Sequence, residues 1–154
     1  MPENIFLKTE GYLILFKLKV LESSIHCIDT LVEFNLTPPL AEFPIKSVSN
    51  VIDVSDWKRL IAYFNEHILA LRQDPDFESH VFVPMELGFQ LQALSGEVRS
   101  ADDGEFSIQF MVNVGRSHEE ASATYVGGKS AITLKNVYAF TSSLDRFLND
   151  QTSE

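Results

Sequence analysis

Cysteine is almost absent. Cys27 stands alone in a chain of 154 residues, so no internal disulfide can staple the fold. With 7 glycines and 6 prolines, collagen-like and low-complexity readings are excluded. Long apolar runs are missing as well: the longest, Tyr12 to Phe16, is far shorter than the roughly 20 residues of a membrane-spanning helix. The opening Met1-Pro2-Glu3-Asn4 has no basic n-region and no small-residue cleavage site, so no signal peptide is expected and the expected compartment is the cytoplasm. Basic residues are scarce, 12 against 22 acidic, for a net charge of −10. They fall four to each third of the chain, against 6, 8 and 8 carboxylates, so no basic stripe exists for a phosphate backbone to follow. That argues against nucleic acid as a partner. A field of this sign attracts basic proteins; its plainer role is to keep the chain in solution.

What is present is an ordinary globular composition, 45% hydrophobic and 22% charged, in a length suited to one domain over residues 1–154 with a frayed tail at 149–154. Tyr12, Ile14, Phe16, Leu18 and Val20 share one face of a period-two strand, with Lys17 and Lys19 opposite. Glu22-Ser23-Ser24 turns the chain, and Ile28, Val32, Phe34 and Leu36 line a second strand that Thr37-Pro38-Pro39 ends. Residues 40–54, with Phe43, Ile45, Val48, Val51, Ile52 and Val54, suggest a third.

The period then changes. Trp57, Leu60, Ile61, Phe64, Ile68 and Leu71 form the stripe of an amphipathic helix. Ser55 or Asp53 caps it, Asp56 favours the first turn, Arg72 the last, and Asp74-Pro75-Asp76 stops it. Alternation resumes through Val81, Val83, Met85, Leu87, Phe89, Leu91 and Ala93. The Asp103-Gly104 turn leads into Phe106, Ile108, Phe110, Val112 and Val114. Strands over 121–126 and 130–134 are expected to flank a Gly127-Gly128 turn. Val137, Phe140, Leu144, Phe147 and Leu148 make a closing helix, capped by Asn136. Tight turns exclude parallel neighbours. The expected fold is α+β: a curved, mostly antiparallel sheet of about six or seven strands with two amphipathic helices, in the order β-β-(β)-α-β-β-β-β-α.

Recognisable reactive constellations are few. Gly127-Gly128-Lys129-Ser130 resembles the end of a phosphate-binding loop, but the first glycine of that motif falls on Ala123 and a strand follows where a helix is needed. His26, His67, His80 and His118 show no metal-ligand spacing; His67 is expected to face solvent, and His26 and Cys27 point to opposite faces of a strand. There is no Gly-x-Ser-x-Gly elbow. The carboxylate pairs Asp74/Asp76, Asp102/Asp103 and Glu119/Glu120 sit in turns, where water solvates both members. Asn35-Leu36-Thr37 matches a glycosylation acceptor, which carries no weight without a secretory signal. Gln90, Gln92, Gln109 and Asn113 read as the wet face of an antiparallel sheet. Accordingly no catalytic, cofactor-binding or metal-binding residues are assigned.

Asp53, Asp56 and Trp57 are the candidate partner-binding residues: an aromatic beside carboxylates suits a surface that anchors a basic protein. The competing reading places Trp57 in the core. The order of strands, the Asp53-x-x-Asp56-Trp57-x-x-Leu60 helix start, the stretch Phe82-Val83-Pro84-Met85-Glu86-Leu87 and the closing Val137-x-x-Phe140-x-x-x-Leu144 resemble the WapI-type immunity proteins, small acidic bacterial antidotes to wall-associated contact toxins. The resemblance covers roughly residues 10–150, rests on amphipathic spacings and carries over no site residue. It implies stoichiometric inhibition of a basic toxin by surface complementarity. The expectation is therefore a non-enzymatic binding protein. The alternative is a small-molecule binder or enzyme with a cavity in the sheet, for which Tyr12 and Tyr125 are the polar groups to watch; a self-associating homo-oligomer stays open.

Overall fold

A computed structural model describes residues 2–37, 44–86, 88–115 and 123–152. In chain order the elements are β1 (Glu3–Lys8), β2 (Tyr12–Leu21), β3 (Ser24–Leu36), β4 (Ile45–Lys46), β5 (Asn50–Asp53), α1 (Val54–Gln73), β6 (Phe89–Val98), β7 (Gly104–Gly115), β8 (Thr124–Thr133) and α2 (Leu134–Thr152). The fold is α+β and every strand pairing is antiparallel. The strands divide between two sheets rather than forming one: β1-β2-β3-β4 with β5 also on β3, and β6-β7-β8.

Each sheet buries one face, as period-two alternation requires. Ile14, Phe16 and Leu18 of β2, Ile28, Val32 and Phe34 of β3, and Leu91, Ile108, Phe110 and Val112 of the second sheet belong to a single core. Phe16 is where the layers meet. Its ring lies 5.6 Å from Trp57 of α1, 5.6 Å from Phe89, 5.8 Å from Phe110 and 5.4 Å from Phe140 of α2, mostly edge-to-face. Tyr12 ties the sheets with a polar link, its hydroxyl 3.2 Å from the Ile108 carbonyl and 3.1 Å from that of Gly128. Burial pushes the Tyr12 phenol well above its ordinary pKa, so it stays a donor.

Several local expectations are corrected. β1 lacks a clear alternating signal, because only Ile5 and Leu7 face inward. Val81, Val83 and Met85 are not in a strand. Apart from one bridge between Phe82 and Leu91, residues 74–86 form an irregular strap, and β6 starts at Phe89. Gly127 and Gly128 lie inside β8, so the two short strands expected there are one. A β-carbon on Gly127 would overlap the backbone at Phe110, which explains glycine within a ladder. α2 begins at Leu134: the Thr133 hydroxyl accepts from the Asn136 N–H, and the Asn136 side chain donates to the Lys8 carbonyl instead of capping. The helix runs on through Thr152. Phe43, Leu87, the Pro38-Pro39 pair and the start of the strand expected at 121 lie outside the described residues.

The two glycines of β8 make opposite predictions. Gly127→Ala forces backbone apart and should cost about 1–3 kcal/mol. Gly128→Ala meets only ordinary contacts, with Phe34 at 3.8 Å, and should stay within about 0.5 kcal/mol of wild type in denaturant titrations.

Candidate functional site

α1 carries two stripes. The first, Trp57, Leu60, Phe64, Ile68 and Leu71, is buried in the core. The second, Asp56, Arg59, Tyr63 and His67, recurs at i, i+3, i+7 and i+11 and faces the strap. Asp56 accepts from the Met85 N–H at 3.0 Å and from Arg59 at 3.1 Å. Arg59 donates to the Val83 carbonyl at 2.9 Å, and its guanidinium lies 4.2 Å above the Phe82 ring. Tyr63 donates to the His80 carbonyl at 2.7 Å, and the nitrogens of His67 reach Ser79 Oγ at 2.7 Å and the Leu94 carbonyl at 2.8 Å. Strap and helix thus run in opposite directions, zipped by side chains.

The same stripe serves β6. Between Ala93 and Gly96 the β6–β7 register shifts, a bulge that takes backbone groups out of the ladder. Tyr63 Oη accepts from the Ala93 N–H at 2.9 Å, and Leu94 O receives the His67 N–H. Since a carbonyl only accepts, His67 Nε2 carries the proton, and Nδ1 accepts from the Ser79 hydroxyl. Burial holds the His67 pKa below its ordinary value, opposed by the bond to Leu94, and burial raises the Tyr63 phenol. His67 is 1% exposed, contrary to the solvent-facing expectation. A histidine on a helix flank looks exposed in a helical projection. The returning strap, β6 and Phe106 of β7 cover it together.

The candidate residues separate. Trp57 is 1% exposed, so its ring cannot touch a partner; the core reading is correct for it, and its Nε1–H has no acceptor among the described residues. Asp53 is the N-cap of α1, accepting from the Ser55 N–H at 2.7 Å. Hydrogen bonds from Ser55, side chain first and then backbone, hold its carboxyl below the usual range. Ser55 is the second helical residue rather than the cap. Asp56 anchors the strap. Beside Asp56 the side chain of Met85 reaches solvent, 84% exposed, which the alternating pattern assigned to a strand. Pro84 just before it, a residue poor at ladder bonding, was the available signal.

Elsewhere, Arg99 bonds Glu97 and Asp103 at the β6–β7 hairpin, and an open depression of about 410 Å³ lies between that hairpin and Lys135 at the start of α2. A neighbouring one of about 460 Å³ lies between Glu10, Glu105 and Asn136. Asp74 and Asp76 share a turn in which Asp74 accepts from the Asp76 N–H. Gln92 donates to the Ser79 carbonyl, while Gln90 and Gln109 line a slight dent with Met111. Tyr12 is absorbed between the sheets, and Tyr125 is half-buried on β8 opposite Asn113. Among the described residues no group of three or more His, Cys, Asp or Glu side chains is placed to hold a metal. Among them too, no helix is long and apolar enough to cross a membrane. His118 and the Glu119/Glu120 pair lie outside the described residues. No family model and no curated protein matches the chain.

Trp57 and Asp53 should therefore differ in stability rather than share a binding defect. Trp57→Ala should cost about 3–5 kcal/mol through the cavity it leaves. Asp53→Ala should cost about 1 kcal/mol, the ordinary loss of a cap, in the same denaturant titrations.

Proposed function

We propose that the chain is a non-enzymatic binding protein that docks a basic protein, in its most specific form a bacterial contact toxin that it neutralises. Met85 carries this reading. A side chain 84% exposed follows backbone that Asp56 and Arg59 hold just ahead of it, at Met85 N and Val83 O. The held backbone lowers what a partner's pocket must order, and the cost that remains is the rotamer freedom of an adaptable thioether. Glu86 puts a carboxylate next to the anchor in the chain, and the −10 charge speeds encounter with a basic surface. The resemblance to WapI-type immunity proteins supplies the identity of such a partner and rests on the spacings quoted above.

The test is biolayer interferometry of the purified chain against a panel of basic proteins that includes contact-toxin domains, at low and high salt. A basic toxin domain should bind, with an on-rate that falls as salt rises. Met85→Ala should weaken it about tenfold or more, the loss expected of a buried anchor. Leu69→Ala, at an exposed residue of α1, should not. Binding that survives Met85→Ala unchanged, or a panel in which no basic protein binds, would overturn the proposal.

A further inference from the structure

The five-stranded sheet has two unlike faces. Alternation sends Ile14, Phe16 and Leu18 of β2 into the core and leaves residues 13, 15, 17 and 19 on the other side. Both helices are committed to the inner face, where Trp57, Phe64, Phe140 and Leu144 join the same core. Among the described residues, the polar side chains of the outer face bond only within the sheet: Lys17 and Lys46 to Glu33, and Asn35 to the Leu13 carbonyl. Register fixes the centre of that face. Phe6 of β1 stands opposite Leu15, Leu13 lies two residues along β2, and Leu31 of β3 is diagonal to Leu15. Phe6 is 49% exposed.

Lysines surround this apolar centre. Lys8 stands opposite Leu13, Lys17 opposite Leu31, Lys19 opposite Asp29 and Lys46 opposite Glu33. Scattered in the sequence, they are gathered here from three strands. With Asp29 and Glu33 as its carboxylates, the face carries +2 on a chain of −10. Glu33 lies 3.0 Å from the Lys17 ammonium and 3.7 Å from that of Lys46, which holds both beside the leucines. Lys8 and Lys19 have no ion pair among the described residues.

We propose that this face docks an amphipathic helix of an acidic protein. The apolar stripe of the helix covers Phe6, Leu13, Leu15 and Leu31, and carboxylates on its flanks meet the four lysines. A helix laid on a sheet face is an ordinary protein layer. The site is independent of the Met85 reading, which concerns another segment and a partner of opposite charge.

Charge and size select the occupant. At physiological salt the Debye length is about 8 Å, so lysines in contact outweigh the distant carboxylates that make the chain acidic. Strands about 4.8 Å apart, rising about 3.4 Å per residue, give four strands over residues 13–19 a footprint of roughly 450 Å². That is about half of the roughly 800 Å² per partner that a stable dimer buries, and a second copy would set two +2 faces together. A helix about 10 Å across suits the same footprint, about 16 residues spanning its length. A planar anionic membrane would also meet Glu10 and Glu22, exposed at the turns that end β2, whereas a helix lies between them.

Nitrogen-15 NMR titration of the full chain tests this with a synthetic helical peptide of about 16 residues, leucine on one stripe and glutamate on its flanks. Its counterpart with lysine flanks is the control. The acidic peptide should shift amide resonances of β1, β2 and β3 and leave the strap still; the lysine peptide should not shift those strands. Phe6→Ser should weaken the acidic peptide about tenfold or more. Lys8→Glu combined with Lys19→Glu should weaken it about fivefold or more. The same double reversal at Lys129 and Lys135, exposed on β8 and α2, changes net charge equally and should stay within about twofold of wild type. Met85→Ala should leave the peptide's affinity unchanged, so failure of the basic-protein reading does not touch this one. No shift up to about 1 mM acidic peptide, equal binding of the two peptides, or indifference to the Lys8 and Lys19 reversal overturns the proposal. A dimer in sedimentation that Phe6→Ser dissociates overturns it in favour of a second copy. Adsorption to phosphatidylserine vesicles that the Lys8 and Lys19 reversal abolishes overturns it in favour of a membrane.

Discussion

Everything beyond the two sheets depends on α1 satisfying two different surfaces at once. A helix whose stripe is wholly apolar needs one partner, the core. Here a second stripe, about a third of a turn away, meets a segment with almost no ladder of its own. Trp57 and Phe64 dock the helix against Phe16 and Phe140. Asp56, Arg59, Tyr63 and His67 then give the strap the hydrogen bonds that a neighbouring strand would otherwise supply. The apolar stripe determines where the helix sits. The polar one determines what lies on top of it.

The bulge in β6 is what makes this arrangement coherent. A register shift leaves an amide and a carbonyl near Ala93 and Leu94 that antiparallel pairing cannot satisfy, and buried backbone groups left unpaired are costly. Tyr63 and His67 each reach past the strap to one of them. Each of these side chains therefore holds two segments, strap and sheet, through one ring. Coupling of that kind explains why neutral, fully bonded side chains occupy positions where a leucine would bury more apolar surface.

What could be read from the residues was the part governed by period. Alternation located β2, β3 and β7; the 3.6-residue stripe located α1; Asp103-Gly104 located the hairpin. These signals are local and the core rewards them directly. The strap was misread because Val81, Val83 and Met85 alternate like a strand while the bonds that hold them come from residues 56, 59 and 63 of a helix. A solvent-facing His67 is a misreading for a related reason: residues distant in sequence, in the strap, β6 and β7, enclose it. Gly127 and Gly128 read as a turn, whereas one of them is required by the close approach of Phe110. Division into two sheets leaves no local mark at all. Of the candidate site, Asp53 and Asp56 were legible as residues of the helix start, but their work is structural, and the exposed Met85 became visible only when the strap left the sheet.

Edge strands also bear on where function can reside. The outer edge of β6 is unprotected wherever no neighbour pairs with it, and an exposed edge invites unwanted association. The strap covers that edge with one bridge, two separate backbone bonds and a side-chain bond, not with a continuous ladder. Such a cover is sufficient to block pairing yet is built from contacts that can break a few at a time, without unzipping a sheet. The strap, with few backbone ties, thus also carries the most exposed large apolar side chain among the described residues. A single segment can then both shield the edge and display an anchor, and the two roles share the same few bonds to α1.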